Sequence, residues 1–151
     1  MRHEVSPWGG MVSPKVGLPG ALLGMALLAA PSRLGAQESA PRNVNTTGLD
    51  TLGKEWRATN PYRNNPKAVE IGKEGYNQNC ARCHGLEGIS GGFTPDLRRL
   101  PLGTEGDALF VFRVQAGSFR NGIQYMPKMA QVLNQETLWA IRTYLESIHE
   151  E

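Results

Sequence analysis

Cys80-Ala81-Arg82-Cys83-His84 gathers both cysteines of the 151-residue chain and the one histidine that lies far from either end. Two thiols are too few for a multi-disulfide scaffold or for an iron–sulfur cluster held by four thiolates of one chain. The three histidines, His3, His84 and His149, nearly exclude a site built from three imidazoles. What these five residues do depends on the elements around them. A C-x-x-C redox pair belongs in a βαβ context, and a zinc site needs a fourth ligand beyond Cys80, Cys83 and His84. A disulfide across so short a loop adds little stability.

Upstream of the pentapeptide, Asn65 is a good N-cap and Pro66 is preorganised for a first helical turn, so a helix is expected from Lys67 to Cys80. Gly72, Tyr76 and Cys80 recur every four residues and share one face of it. Gly72 and Gly75 each weaken a helix by up to about 1 kcal/mol relative to alanine, a cost that makes sense where another helix crosses closely. Downstream, residues 85–103 are rich in glycine and proline and read as a long loop that wraps a ligand. Thr104 is expected to cap a second helix, with Glu105 and Asp107 in its first turn, Leu109, Phe110, Val111, Phe112 and Val114 as its apolar surface, and Gly117 at its end. Residues 118–128 read as another loop. Asn134 then caps a last helix from Gln135 to about Ile148, in which Leu138, Ile141, Leu145 and Ile148 recur at helical spacing beside Trp139 and Tyr144. With no strand-like alternation and no internal repeat, the fold class is all-α, about four short helices with a large loop fraction.

Such a domain buries little apolar surface for its size, and a large apolar cofactor would complete the core. C-x-x-C-H is the attachment signature of c-type haem, and the helical context excludes the redox-pair reading. Each thiol adds to one vinyl group along one haem edge, one helical turn presents both sulfurs to that edge, and His84 then supplies an axial nitrogen to the iron. One covalent haem c held by Cys80, Cys83 and His84 is therefore expected.

For the sixth iron ligand the candidates are few. His149 lies two residues before the last position and reads as solvated, and the only methionines beyond residue 36 are Met126 and Met129. Met126 is favoured, because Pro127 stiffens the loop that must hold its sulfur, while Met129 remains the alternative. A thioether in this position favours reduced iron and raises the potential. The other ring nitrogen of His84 needs an acceptor, for which a backbone carbonyl near Pro95 is a candidate. Arg98 and Arg99 lie just beyond and are candidates to pair with haem propionates.

Residues 1–36 read as a secretory signal peptide: Arg2 and Lys15 in a basic start, an apolar run from Val16 to Ala30, and a small-residue exit at Leu34-Gly35-Ala36. The run is shorter than the roughly 20 residues of a spanning helix. Removing it takes away Arg2, Lys15, Arg33 and Glu4 and leaves 115 residues with no formal net charge. That balance excludes nucleic-acid binding driven by phosphate neutralisation. Residues 37–64 read as an irregular, polar N-terminal arm that Trp56 and Tyr62 pin to the surface of the domain at 65–151. The expected location is the periplasm, without stable membrane insertion once the leader is cut.

Cys80–His84, Pro95-Asp96-Leu97, Met126-Pro127 and the closing Trp139…Tyr144-Leu145 helix together resemble the class I cytochromes c, over roughly residues 65–149. The resemblance implies a His/Met haem fold in which Gly72 and Tyr76 cross the last helix near Tyr144 and Leu145. It implies that the Pro95 carbonyl accepts the His84 ring proton, that Leu97 belongs to the haem site, and that Met126 is the sixth ligand. Asn60-Pro61-Tyr62-Arg63, Asn65-Pro66 and Pro95-Asp96-Leu97-Arg98-Arg99-Leu100 are similar to periplasmic cytochromes that serve quinoprotein (PQQ-dependent) alcohol dehydrogenases.

The function expected is a monohaem carrier of single electrons, not an enzyme. Its redox partners would be a quinoprotein dehydrogenase as donor and an oxidase or another cytochrome as acceptor. Near-zero charge argues against strong long-range steering, although Lys73, Arg82, Arg120 and Lys128 supply local positive charge. Two rivals remain. One is a haem enzyme or gas sensor with a labile sixth ligand. The other is a fixed cytochrome subunit of a dehydrogenase complex, docked through residues 37–64.

Overall fold

The computed structural model describes residues 40–151, so the leader expected at residues 1–36 lies outside the described residues. Four helices appear: α1 (Pro66–Asn79), α2 (Ala81–His84), α3 (Gly103–Ala116) and α4 (Gln135–Ser147). Single 3-10 turns sit at Leu86–Gly88, Leu97–Arg99 and Met129–Gln131. The all-α reading holds, with one addition. Residues 118–126 are not a plain loop but a two-stranded antiparallel ribbon, β1 (Ser118–Arg120) paired with β2 (Ile123–Met126). Asn121 and Gly122 both take positive φ, +51° and +77°, the geometry of the tight turns that match strand twist. Asn-Gly is a strong hairpin signal, and it was hidden because the flanking strands are too short and too exposed to alternate.

Helix boundaries follow the capping chemistry. The Asn65 side chain accepts from the Lys67 and Ala68 N–H groups, and that of Asn134 accepts from the Thr137 N–H. For α3 the expected Thr104 cap is replaced. Leu102 stands at the N-cap without a side-chain bond, and Gly103, at φ +68°, turns the chain into the helix two residues earlier. The early entry brings Gly106 against the preceding loop, where a Cβ would lie 1.6 Å from the Pro101 carbonyl oxygen.

The core is the crossing of α1 on α4. A Cβ at Gly72 would lie 1.9 Å from the Ala140 carbonyl oxygen and 2.9 Å from the Tyr144 Cβ, so the backbones meet at a distance only glycine permits. One turn on, the Tyr76 and Tyr144 rings stack at a tilt, 5.5 Å between centroids. The crossing thus lies where the glycine–aromatic face of α1 predicts it. From Thr137 to Leu145 every residue of α4 is buried. Leu138, Trp139, Ile141 and Leu145 form the apolar centre with Phe110 and Val114 of α3.

Residues 40–64 have neither helix nor strand, yet they pack as part of the same unit as the helices. Val44, Leu52, Asn60 and Tyr62 are buried, and Trp56 is half-buried against the core. The Leu52 N–H donates to the Glu136 carboxylate (2.8 Å) and the Arg57 N–H to the Gln135 side-chain oxygen (2.7 Å). The Tyr62 hydroxyl donates to the Asp50 carbonyl, and its burial, with Glu136 and Asp50 nearby, pushes its pKa up to about 12.

Below this strap lies a buried ionic cluster. Asp107 accepts from the Asn60 N–H (2.9 Å), from Arg63 (2.6 Å) and from Arg142 (3.1 Å), while Glu146 pairs with both arginines. Arg142 also donates to the Pro101 carbonyl (2.7 Å). Burial alone would raise the Asp107 carboxyl, but the Asn60 N–H and the two guanidiniums outweigh it and hold the group below its ordinary value. Residues 60–63, α3 and α4 are thereby joined at one point.

Candidate cofactor site

The site grows from the end of α1. The Cys80 N–H closes that helix on the Tyr76 carbonyl (2.7 Å). One more turn then forms, with the N–H groups of Cys83 and His84 donating back to the Cys80 carbonyl at 3.1 and 2.9 Å. That turn puts the two thiols three residues apart on one side of a helix and sets His84 directly after them. Gly85 stops it at φ +78°, where a Cβ would lie 1.9 Å from the Ile89 carbonyl oxygen. The Tyr76 hydroxyl donates to the Gly85 carbonyl (2.7 Å), tying the turn back to α1.

Cys80 and Cys83 form no disulfide; Cys83 is exposed and Cys80 is partly buried against the core. Burial pushes the Cys80 thiol up to about 12, and the neighbouring Cys83 adds to the shift. A dithiol redox centre needs a thiolate stabilised by positive surroundings, and this one is destabilised instead. Among the described residues there is no group of three or more His, Cys, Asp or Glu that could hold a metal ion. The zinc reading therefore finds no ligand set.

His84 Nδ1 lies 3.1 Å from the Pro95 carbonyl oxygen. A proton on Nδ1 donated there leaves the Nε2 lone pair available to a metal and fixes the plane of the ring. The loop that carries Pro95 is anchored on both sides. Before it, the Thr94 hydroxyl donates to the Cys83 carbonyl (2.7 Å) and the Ser90 hydroxyl to the Thr94 carbonyl. After it, Leu97 is half-buried and packs against the core. Arg98, expected to face a propionate, has its guanidinium engaged elsewhere, by Asp96 (2.7 Å) and Glu150 (2.5 Å). Its hydrogen bond to the Asp96 carboxylate holds that carboxyl below its ordinary value. Arg99 is exposed.

The two methionines part company. Met129 is 5% exposed inside the apolar cluster with Leu133 and Val114, where its thioether fills space. Met126 ends β2, half-buried at the edge of that cluster, with Pro127 next in the chain. Gly117 faces it across the base of the ribbon: a Cβ there would lie 2.5 Å from the Met126 carbonyl oxygen.

A second feature escaped the sequence reading. Among the described residues, every large apolar side chain that is well exposed lies between Leu86 and Val132, in the loops flanking α3 and on α3 itself. Phe93 is 86% and Leu86 72% exposed, and Phe112, Phe119 and Ile123 are more than half exposed. Of these, the Phe93 and Tyr125 rings meet across the loops, 6.4 Å between centroids, and exposed aromatic side chains of this kind suit an apolar ligand. Two thiols at helical spacing, an oriented imidazole, a thioether followed by proline and a set of exposed apolar side chains are the kinds of group that a covalently attached haem requires. The signal was available in the sequence as apolar residues inside Gly/Pro-rich segments, at positions a solvated loop would not carry.

Comparison with known proteins agrees with this chemistry. The family described as "Cytochrome C oxidase, cbb3-type, subunit III" matches residues 67–145. Cytochrome c550 of Pseudomonas aeruginosa is 61% identical over 113 residues, covering 72% of this chain and 78% of that protein. Two Pseudomonas putida enzymes match over shorter stretches. Quinohemoprotein alcohol dehydrogenase ADH-IIG is 33% identical over 82 residues, 54% of this chain but 11% of the enzyme. Quinohemoprotein alcohol dehydrogenase ADH IIB is 46% identical over 43 residues, 28% of this chain and 6% of the enzyme. No solved structure matches the chain. The site's donors and these relatives lead to one conclusion: the chain belongs to the class I monohaem c-type cytochromes, electron-transfer proteins that carry haem c.

Proposed function

We propose that the protein is a periplasmic carrier that takes single electrons from a quinoprotein alcohol dehydrogenase and passes them to an oxidase or another cytochrome. In this reading residues 1–36 direct export and are removed after Ala36, which N-terminal sequencing of the exported protein would test. When bound, the haem supplies one iron that changes oxidation state by one electron at a time. The chain's own residues do the rest. Cys80 and Cys83 fix the group covalently. His84 would offer Nε2 to the iron while the Pro95 carbonyl holds the opposite ring nitrogen. Met126, placed by the ribbon and by Pro127, would offer its thioether, and Leu97 and the apolar loop residues would exclude water. The observation that carries this reading is the pairing of an oriented imidazole with two cysteines on one helical turn.

The burial of Met129 supports Met126 as the sixth ligand. The similarity to a quinohemoprotein alcohol dehydrogenase over 82 residues supports an electron donor of that chemistry. The packing of residues 40–64 onto their own domain disfavours the rival in which the arm docks a larger complex. Salt would leave a diffusing carrier free and a fixed subunit attached, so purification at high ionic strength separates the two.

The deciding experiment is an optical spectrum of the protein matured with covalent haem, with and without carbon monoxide. A low-spin ferrous spectrum unmoved by carbon monoxide is expected. Met126→Ala should open the iron to carbon monoxide and lower the midpoint potential, and Met129→Leu should leave both nearly as they are. Ready binding of carbon monoxide by the unaltered protein would point instead to the haem enzyme or sensor.

A further inference from the structure

Arg98 joins its own loop to the segment after α4, some fifty positions later in the chain. Its Nε and Nη2 form a fork on the Asp96 carboxylate at 3.1 and 2.7 Å, and its backbone N–H donates to the same carboxylate at 3.1 Å. Its Nη1 pairs with Glu150 at 2.5 Å. The Glu150 backbone N–H returns a hydrogen bond to the Arg98 carbonyl (3.0 Å), so the segment after α4 is fastened to Arg98 through both main chain and side chain. The aliphatic stem is confined too. A Cβ at Gly88 would lie 3.1 Å from the Arg98 Cγ and 3.4 Å from the Ile148 Cδ1. Bidentate pairing of this kind fixes geometry as well as adding energy.

The position of this clamp gives it a use. Pro95, whose carbonyl faces His84 Nδ1, is the residue immediately before Asp96. On its other side Thr94 is tied to the Cys83 carbonyl. The carbonyl is thus held from two directions, and one of the two holds runs through Arg98 to the segment after α4. The strength of the bond from a ligating imidazole to its outer acceptor sets how strongly the other nitrogen donates to the metal. Thus we propose that Arg98, with Asp96 and Glu150, is a positioning unit for His84. It keeps the Pro95 carbonyl on Nδ1 and so couples the iron's potential to the packing of residues 148–150. This rests on the reading of His84 as an iron ligand.

The charge-conserving variant Arg98→Lys keeps the positive charge and loses the fork. In the haem-loaded protein, NMR would follow solvent exchange of the His84 Nδ1 proton beside exchange of the α1 amides, and voltammetry would give the midpoint potential. The expected result is Nδ1 exchange roughly tenfold faster, a raised potential because the imidazole donates less, and unchanged protection of α1. Glu150→Gln, an exposed change that leaves the fold intact, should accelerate the same proton by a smaller factor of about two to three. The inference is overturned if both variants leave the Nδ1 proton and the Arg98→Lys potential where they are. It is also overturned if α1 protection falls in step with Nδ1, which would mean a general loss of stability. Failure of the underlying reading would look different: the unaltered protein would then lack a low-spin haem spectrum, whatever Arg98 does.

Discussion

The two sides of this domain are held in different ways. Where residues 40–64 and α1 meet α4, the chain satisfies itself: glycine lets two backbones touch, nine consecutive residues of α4, Thr137 to Leu145, are buried, and the ionic cluster of Asp107, Arg63, Arg142 and Glu146 closes the layer. Between Leu86 and Val132, large apolar side chains point outward from loops that turn on left-handed glycines at 88, 92, 103, 117 and 122. A small all-helical domain can rest on one well-made interface if the other face is shaped around a cofactor. Substitutions on the first side should therefore act on stability, and substitutions on the second on the cofactor and its ligands.

The sharpest way to break that division is at Asp107. Removing one partner from a buried ion pair leaves the other charge uncompensated, at about 3–5 kcal/mol. Asp107→Asn keeps the shape and should lower the urea-unfolding free energy of the haem-loaded protein by that order, with little change in its spectrum. The pH dependence follows from the depressed carboxyl pKa. A group depressed in the folded state stabilises fully above its unfolded pKa of about 4 and loses that contribution as pH falls through the folded value. The stability gap between the unaltered protein and Asp107→Asn should thus be constant above about pH 5 and shrink on acidification. A gap that widened toward acid pH would contradict the assignment.

A smaller effect is expected at the crossing itself. Gly72→Ala would set a methyl 1.9 Å from the Ala140 carbonyl oxygen, so α1 must shift away from α4. Overpacking of this kind costs about 1–3 kcal/mol. Because Cys80 directly follows α1 and closes it, the shift should also reach the cofactor turn, visible as a change in the circular dichroism of the haem band. Gly75→Ala, whose new methyl would lie 3.1 Å from a flexible Ile141 side chain, should do distinctly less.

What the sequence made legible tracks how local the physics is. Asn65, Pro66, the Gly72–Tyr76 face and the pentapeptide are short-range patterns, and the helices, the crossing and the cofactor turn followed from them. Of what distinguishes the two methionines, Pro127 is visible in the chain, whereas the burial of Met129 is a tertiary fact. The strap was legible only as an irregular arm. Its bonds run from Asn60 to Thr143 and from Leu52 to Glu136, more than eighty positions away, and no periodicity announces such pairs. The Arg98 clamp was hidden for a related reason: its nearest carboxylate, Asp96, is two residues away, but Glu150 arrives from beyond the end of α4.

The smallest prediction probes the ribbon, which belongs to the cofactor side yet ends at Met126. Gly122 takes φ +77°, and the space around it is open, so alanine there meets strain of the backbone and nothing else. Such a change costs about 1 kcal/mol. If the ribbon is only a connection, Gly122→Ala should lower stability by that amount and leave the iron alone. If it holds Met126 on the iron, a part of the strain must appear at the ligand: carbon monoxide should bind a small but measurable fraction of the ferrous protein, and the fraction should grow with temperature faster than global unfolding does. Asn121 already accepts φ +51°, so the turn tolerates one non-glycine residue, and adding a second tests how firmly the two strands enforce it. The response at the iron, set beside that of Gly72→Ala, would measure how far strain on each side of the domain travels to the ligands.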